Sequence, residues 1–248
     1  MIAVLVACLA LGQPQARSET PDAAAIVSRM LARYNSAKTV SGTIQLRVTV
    51  KGATADVRTE LAIQAPGKIW IRQTRTQPEH TVKEVVADGE FMMYDAPEGG
   101  VFRPGEKFVE PMRQLNRTLT FRDAYAASAS SLLDRNPILD IAVGRIEDLR
   151  FLRFQWATVV YAGRTQLGTE EVHAIRGQWR EYGEAPVSGE YRMLITDAGD
   201  LRQYAISQTI AASPGSPATT VVPTWTADLK IDADVSPDRF VIRRPGSR

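Results

Sequence analysis

The amino-acid sequence predicts an α+β fold in which a few helices cover one large antiparallel sheet. Segments in which apolar and polar residues alternate, as they do in a half-buried strand, recur along the chain. Turn motifs such as Asp88-Gly89 separate neighbouring segments, and an Asp-Gly pair tolerates the positive φ of a tight hairpin. With 248 residues, 44% of them hydrophobic, the chain is long enough for one large β domain.

The first element is a helix that begins near Thr20 or Asp22, either of which can cap it. Its apolar residues recur at the spacing that places them on one face of a helix. They are Ile26, Met30, Leu31 and Tyr34. We expect this helix to end between residues 35 and 38 and to pack on the sheet.

From Gly42 the pattern changes to that of strands. Every second residue is apolar in residues 44–50, and residues 57–64 repeat this alternation after a polar link that contains Gly52. The two segments are therefore a predicted hairpin. Residues 68–72 predict the next strand.

Residues 85–103 predict a meander of three short strands joined by two turns. The segment that begins at Thr81 supplies the first strand, and Asp88-Gly89 is the first turn. A longer turn rich in proline and glycine follows Asp95, after which Val101 and Phe102 are expected to start the third strand.

The middle of the chain predicts helices that cover the sheet built before them. Residues 123–134 are rich in alanine and free of glycine and proline, and Asn136-Pro137 ends whatever helix they form. Residues 138–143 are consistent with either a short helix or an extended apolar segment. Both segments lack a sheet of their own.

The second half of the chain returns to strands. The predicted segments are residues 151–161, 172–179, 190–196, 201–208 and 219–231. Residues 197–200 are a hairpin link between two of them. A last short strand is expected at residues 240–242.

The N-terminus predicts export. Residues 1–12 are continuously apolar but too short to span a membrane, and small residues at Gly12 and Ala16 suit cleavage of a signal peptide over residues 1–16. Residues 17–248 then form a single periplasmic domain. Cys8 follows a sequence that matches a lipobox, so an outer- or inner-membrane lipoprotein is the alternative. Either way the mature domain has no disulfide.

Composition argues against several functions. The chain has 30 Lys and Arg against 28 Asp and Glu, scattered along its length, so nucleic acid is not an expected partner. His80 and His173 lack the spacing of metal ligands, and no nucleophile elbow, phosphate-binding loop or dinucleotide fingerprint occurs. We therefore expect no enzyme activity, no metal and no cofactor.

Apolar surface is the chemical feature that remains. The aromatic and methionine side chains lie mainly at strand positions, and a long curved sheet offers more concave surface than two short helices cover. They form either a dry core or an apolar cleft for a lipid tail. Each methylene removed from water contributes about 0.8 kcal/mol, so a single acyl chain supplies enough binding energy for a carrier.

Several short motifs resemble those of the periplasmic lipoprotein carrier LolA and its superfamily. They are P-G-K-I-W-I-R at residues 66–72, D-G-E-F-M-M-Y-D at 88–95, T-D-A-G-D-L-R-Q at 196–203 and S-P-D-R-F at 236–240. The likeness spans most of the mature chain and is greatest to the uncharacterised exported branch of that superfamily.

The resemblance implies an incomplete antiparallel β-barrel, a curved sheet with helices covering its concave face. It implies a monomeric carrier that binds lipoprotein acyl chains or other lipids in an apolar cavity and contacts membranes transiently. The superfamily also includes the acceptor lipoprotein LolB and the lipid-sensing domain of the regulator RseB. A periplasmic sensor or scaffold that binds envelope proteins is therefore the alternative, since fold does not fix function.

By the same resemblance, one parity of the strand residues lines the cavity. The residues assigned to it are Leu46, Val48, Leu61, Ile63, Phe91 and Met93. The opposite parity, with Trp70 and Tyr94, stays open as an alternative. The family has a buried arginine beneath its helices, for which Arg47, Arg58 and Arg72 are all candidates.

Overall fold

A computed structural model describes most of the chain from residue 21 onward. The described residues are 21–50, 53–77, 79–96, 102–103, 105–114, 117–118, 120–134, 136–143, 155–181, 187–210 and 218–242. The predicted signal segment and Cys8 lie outside them. No helix in the described ranges is both long and apolar enough to span a bilayer.

Three α-helices form within the described residues, and local capping explains where two of them begin. They are α1 (Ala23–Ser36), α2 (Phe121–Ser128) and α3 (Pro137–Val143). The Asp22 carboxylate accepts from the amide of Ala24 at the start of α1. A capping box between Thr120 and Asp123 starts α2 two residues before the predicted bound, and a 3₁₀ turn extends it to Ser131.

Fifteen strands form in the described ranges. In the first half they are β1 (Thr39–Val50), β2 (Ala53–Gln64), β3 (Lys68–Arg75), β4 (Thr81–Asp88), β5 (Phe91–Asp95), β6 (Lys107–Pro111), β7 (Arg113–Gln114) and β8 (Arg117–Thr118). In the second half they are β9 (Gln155–Trp156), β10 (Val160–Leu167), β11 (Glu170–Glu181), β12 (Val187–Ile195), β13 (Leu201–Ile210), β14 (Thr219–Val221) and β15 (Thr224–Ile231).

Thirteen of these strands form one antiparallel sheet. Eleven follow the order β10-β11-β12-β13-β15-β1-β2-β3-β4-β5-β6, with β14 beside β13 and β9 beside β11. The sheet is curved but not closed, so the fold is an incomplete barrel with helices, as the sequence predicts. Strand β15 joins the two halves of the chain by pairing with both β1 and β13.

The junction of β1 and β15 depends on a glycine. Gly42 has φ +141° and lies opposite Leu229 of β15. A β-carbon added at Gly42 would overlap the carbonyl oxygen of Asp228, so only glycine allows the two backbones to approach this closely.

The two faces of the sheet carry separate apolar clusters. The face covered by α1, α2 and α3, called the inner face below, holds the large core of the molecule. The opposite, outer face carries a smaller cluster over β2–β5, in which Phe240 covers Trp70 and Met93. Parts of β2–β5 are therefore buried on both faces.

Contacts with the turn after β12 hold α1 over the inner face. The guanidinium of Arg33 lies 2.7 Å from a carboxylate oxygen of Asp200. The amide of Leu201 donates to the hydroxyl of Tyr34 at 3.3 Å, and Met30 is fully buried. The predicted helix and the predicted hairpin link thus meet in space.

Two of the predicted strands are wrong. The third strand of the meander is β6, which starts at Lys107; Phe102 is exposed and irregular because a further turn follows, in which the amide of Glu106 donates to the carbonyl of Arg103. Val101 lies outside the described residues. The strand expected at residues 240–242 does not form. Phe240 instead ends a 3₁₀ helix (Pro237–Phe240) and packs into the outer cluster, and residues 241–242 are irregular.

Two predicted strands differ from the structure in their bounds. The segment 151–161 contains only β9 and the start of β10 among its described residues, and β10 continues to Leu167. The segment 219–231 is divided into β14 and β15 by Val222-Pro223, because proline lacks the amide hydrogen of a ladder bond.

Candidate functional site

The inner face of β1–β5 is a continuous aliphatic surface. Alternate residues of β1, β2 and β3 point to this side and are buried, as expected for strands with a period of two. They include Ile44, Leu46, Leu61, Ile63, Ile69 and Ile71. Aliphatic side chains therefore line most of this half of the inner face.

The inner face of the other half is aromatic. Tyr191 and Tyr204 stack with centroids 6.0 Å apart, and Tyr204 packs edge-on against Trp225 at 6.3 Å. The indole of Trp156 donates to the hydroxyl of Tyr204 at 2.8 Å, and the hydroxyl of Tyr191 donates to the carbonyl of Thr158. These four side chains, called the aromatic row below, extend from β9 to β15. Their polar atoms have hydrogen-bond partners within the protein.

Helix α3 lies in the interior between these surfaces and the other helices. All seven of its residues are buried. It contacts α1 and α2 on one side and β1 and β13 on the other. An apolar helix enclosed on every side occupies the volume that a ligand of the inner face would need.

One cluster of hydrogen bonds, the Asp134 latch, ties the segment before α3 to the sheet. We define it as Gln73 of β3, Asp134 and Trp225 of β15. The Gln73 amide accepts from the Asp134 main-chain amide at 2.9 Å and donates to its carbonyl, while the Trp225 indole donates to the Asp134 carboxylate at 2.9 Å. Gln73 is fully buried and also donates to Thr59.

A second polar contact joins α2 to α3. The hydroxyl of Tyr125 donates to the carboxylate of Asp140 at 2.6 Å, and both side chains are buried. At the start of α3, the side chain of Asn136 accepts from the amide of Leu139 and donates to Asp134. Helices α2 and α3 and the segment between them, called the insert below, thus form one unit. This unit meets the sheet through apolar packing and the Asp134 latch.

The structure divides the six residues that the sequence assigns to the cavity. Leu46, Leu61 and Ile63 belong to the core of the inner face, and Val48 packs against it. Met93 belongs to the outer cluster, and Phe91 shares its face by alternation. The two residues of the alternative parity also lie on different faces. Tyr94 packs on the inner core, and Trp70 lies in the outer cluster. The ligand-binding role of these residues stays a prediction.

None of the three candidate arginines lies beneath the helices. The side chains of Arg47 and Arg58 are 73% and 55% exposed, and Arg72 is exposed as well. Gln73 is a buried polar residue beneath the helices that was not among the candidate residues. Its parity was the available signal, because Gln73 continues the inner-facing series of Ile69 and Ile71.

Burial of the aromatic row alters the ionisation of its tyrosines. Burial raises the pKa of Tyr191 to about 12, and it likewise raises the pKa of Tyr34 beneath α1 to about 12. The pKa of Tyr204 is raised by burial as well. Each is therefore neutral in the folded protein at pH values where a solvent-exposed tyrosine, with a pKa of about 10, ionises.

These shifts predict a loss of stability in alkali. Above about pH 10 the unfolded chain releases tyrosine protons that the folded chain retains, so the free energy of unfolding falls by about 1.4 kcal/mol per pH unit per tyrosine until the folded pKa is reached. Urea unfolding from about pH 8 to about pH 11 should show this decline. Tyr191→Phe should lessen it, and an unchanged slope in this variant would contradict the assignment to Tyr191.

The described residues contain no group of three or more His, Cys, Asp or Glu side chains that could hold a metal ion. His173 lies in β11, where it bonds to the carboxylate of Asp197, and His80 is exposed beside β4. The candidate site is the apolar inner face described above.

No family model and no curated protein matches the sequence. Several solved structures are similar to the chain. The lipoprotein LppX of Mycobacterium tuberculosis has a TM-score of 0.43 and 10% identity, covering 86% of this chain and 97% of LppX. MucB has a TM-score of 0.46 and 11% identity over 91% of this chain, which spans 64% of MucB.

A LolA superfamily protein from Nitrosomonas europaea also matches, with a TM-score of 0.32 and 9% identity, covering 90% of this chain and 99% of that protein.

Proposed function

We propose that this protein is a periplasmic carrier that binds the acyl chains of lipoproteins or other lipids between the inner face of the sheet and its helices. The observation that carries the proposal is α3, an apolar helix buried on all sides within an unclosed sheet. Export through the segment 1–16 and a single domain over residues 17–248 are parts of the same proposal.

Binding requires an open arrangement, in which α3 leaves the inner face and acyl chains take its place. This exchange is favourable only if the ligand replaces the contacts that the helix makes. A helix of seven residues is about 10 Å long, a length that the hydrocarbon tail of a lipid spans easily. Each methylene of the ligand that leaves water for the inner face contributes about 0.8 kcal/mol. A chain of ordinary length therefore supplies on the order of 10 kcal/mol, before ordering costs, toward displacing the helix.

The Asp134 latch stabilises the closed arrangement, in which α3 occupies the interior. Its hydrogen bonds are few and connect one point of the insert to β3 and β15. Breaking them leaves buried polar groups without partners, which costs about 1–3 kcal/mol for each group. Opening must overcome this cost and also the exposure of the apolar side chains of α3. The binding energy of a lipid has to offset both.

The residues proposed to meet the ligand follow the faces of the sheet. Leu46, Val48, Leu61 and Ile63 keep the role that the sequence assigns to them, because they lie on the inner face or pack against it. On β5 the proposal moves from Phe91 and Met93 to their inner-facing neighbours Met92 and Tyr94.

Lipid binding can be tested on mature protein purified from envelope extracts without detergent. Native mass spectrometry should detect a bound acyl-chain species, and delipidated protein should take up a fluorescent fatty acid that unlabelled lipid displaces. Protein that carries no lipid and binds none at micromolar concentration would contradict the proposal, provided that its melting curve shows a folded domain.

One observation favours the sensor or scaffold alternative. Among the described strands, β10 and β6 each end the sheet with an unpaired edge, and such edges accept a strand from another protein. Crosslinking in intact envelopes, followed by isolation of a stable protein complex, would support that alternative if the purified protein binds no lipid.

A further inference from the structure

Two arginines lie directly opposite each other on the outer face of the sheet. Arg176 of β11 pairs in register with Arg192 of β12. Their neighbours Ile175, Tyr191 and Met193 point into the core, so alternation places both guanidiniums on the outer side, where both residues are exposed.

The charges of this pair are uncompensated. Like charges at directly opposed positions of an antiparallel pair destabilise it. Neither Arg176 nor Arg192 forms an ion pair in the described part of the chain. The charged residues that share this part of the face are Glu190 of β12, which is opposite Gln178, and Arg180 of β11. The local charge is therefore positive, and the repulsion is relieved when an anion bridges the two guanidiniums.

The positions on either side of the pair are apolar. Val160 of the end strand β10 is opposite Arg176 and is 45% exposed, and Ala205 of β13 is opposite Arg192. The arginine pair with Val160, called the arginine patch below, thus combines two guanidiniums and an exposed valine near one end of the sheet.

We propose that the arginine patch is the surface through which the protein docks on anionic phospholipid membranes. A guanidinium binds a phosphate oxygen pair through two parallel hydrogen bonds, and two adjacent guanidiniums match the phosphates of neighbouring headgroups. The exposed Val160 suits the boundary between headgroups and acyl chains better than it suits an acidic peptide in water. This inference rests on the proposed function, because a lipid carrier must meet a membrane to load or release its cargo.

Vesicle sedimentation tests the proposal with the full mature protein. At low salt the wild type should bind vesicles that contain phosphatidylglycerol about thirtyfold more tightly than vesicles of phosphatidylcholine alone. The variant Arg176→Gln/Arg192→Gln should lose about thirtyfold in binding to the anionic vesicles, as expected for two interfacial arginines at about 1 kcal/mol each.

A matched control removes the same charge from the same face. Arg58 and Arg72 are exposed outer-face residues of β2 and β3, but Glu60 lies 4.0 Å from Arg58 and directly opposite Arg72. The variant Arg58→Gln/Arg72→Gln should bind anionic vesicles as the wild type does. An equal loss in both variants would show that net charge alone is responsible and would overturn the assignment to the arginine patch.

Two other outcomes would also overturn the proposal. Equal binding to both vesicle types is one, and binding of inorganic phosphate or polyglutamate without vesicle binding is the other. Fatty-acid uptake by the arginine variants tests membrane docking separately from lipid carriage, because the arginine patch lies outside the interior. Normal uptake with lost vesicle binding supports the docking surface, whereas vesicle binding by a wild type that takes up no lipid contradicts only the carrier function.

Discussion

Replacing Gln73 with leucine is expected to destabilise the protein and, at the same time, to increase its uptake of acyl chains. The substitution removes the Gln73 side chain that bonds to both the amide and the carbonyl of Asp134 in a part-buried site. This loss costs about 2 kcal/mol, which raises the population of the open arrangement about thirtyfold. The apparent affinity for a ligand that binds only the open arrangement rises in proportion to that population.

Three measurements on the Gln73→Leu protein distinguish this local opening from a general loss of stability. The melting temperature should fall, hydrogen exchange should become faster in α2 and α3 but not in β1 and β2, and a fluorescent fatty acid should bind more tightly. The neighbouring substitution Arg72→Leu changes an exposed side chain of the outer face and should alter none of the three. Lower stability accompanied by weaker lipid binding would show that the latch does not oppose ligand entry.

The sequence predicted the strands well wherever one face of the sheet is wet. In β1, polar residues such as Gln45 and Arg47 lie outward between buried Ile44 and Leu46, so the alternation is visible in the sequence and the inner face can be assigned from it. Turns were also predictable, because their conformation depends on a few neighbouring residues. Gly89 adopts φ +101° between β4 and β5, as an Asp-Gly hairpin requires.

The same reasoning does not assign an inner face to β5, because both of its faces are covered. Residues 91–94 are all apolar, Met92 packs beneath the helices, and Met93 packs beneath the C-terminal segment that carries Phe240. A strand buried on both sides loses the alternation that would reveal its inner face. Which of the two methionines lies on the inner face depends on where Phe240 packs. That contact joins residues far apart in the sequence.

The Asp134 latch was hidden for a different reason. Gln73 lies in a strand that also contains Arg72 and Arg75, where a polar residue is ordinary. Its role depends on the position of a main-chain segment about sixty residues later in the sequence, and no local pattern encodes that contact. Buried polar groups of this kind are found by their partners, which only the fold supplies.

The two methionines of β5 offer the most discriminating test of the carrier proposal. Met92 and Met93 are adjacent, equally large and 2% and 4% exposed, but they lie on opposite faces of the sheet. Met92→Ser and Met93→Ser should therefore destabilise the protein by similar amounts, about 2–5 kcal/mol each, as large-to-small core changes do. Only Met92→Ser should weaken lipid binding.

The expected loss of binding follows from the apolar contact that Met92→Ser removes. About three apolar heavy atoms leave the inner face, each contributing about 0.8 kcal/mol, which corresponds to about 2 kcal/mol or about thirtyfold in the dissociation constant. The fluorescent fatty acid should be titrated at a temperature where both variants are folded, with their melting curves measured in parallel. Equal losses in the two variants would mean that binding simply follows stability. A loss confined to Met93→Ser would place the ligand on the outer face, beneath the C-terminal segment, and would refute the inner site.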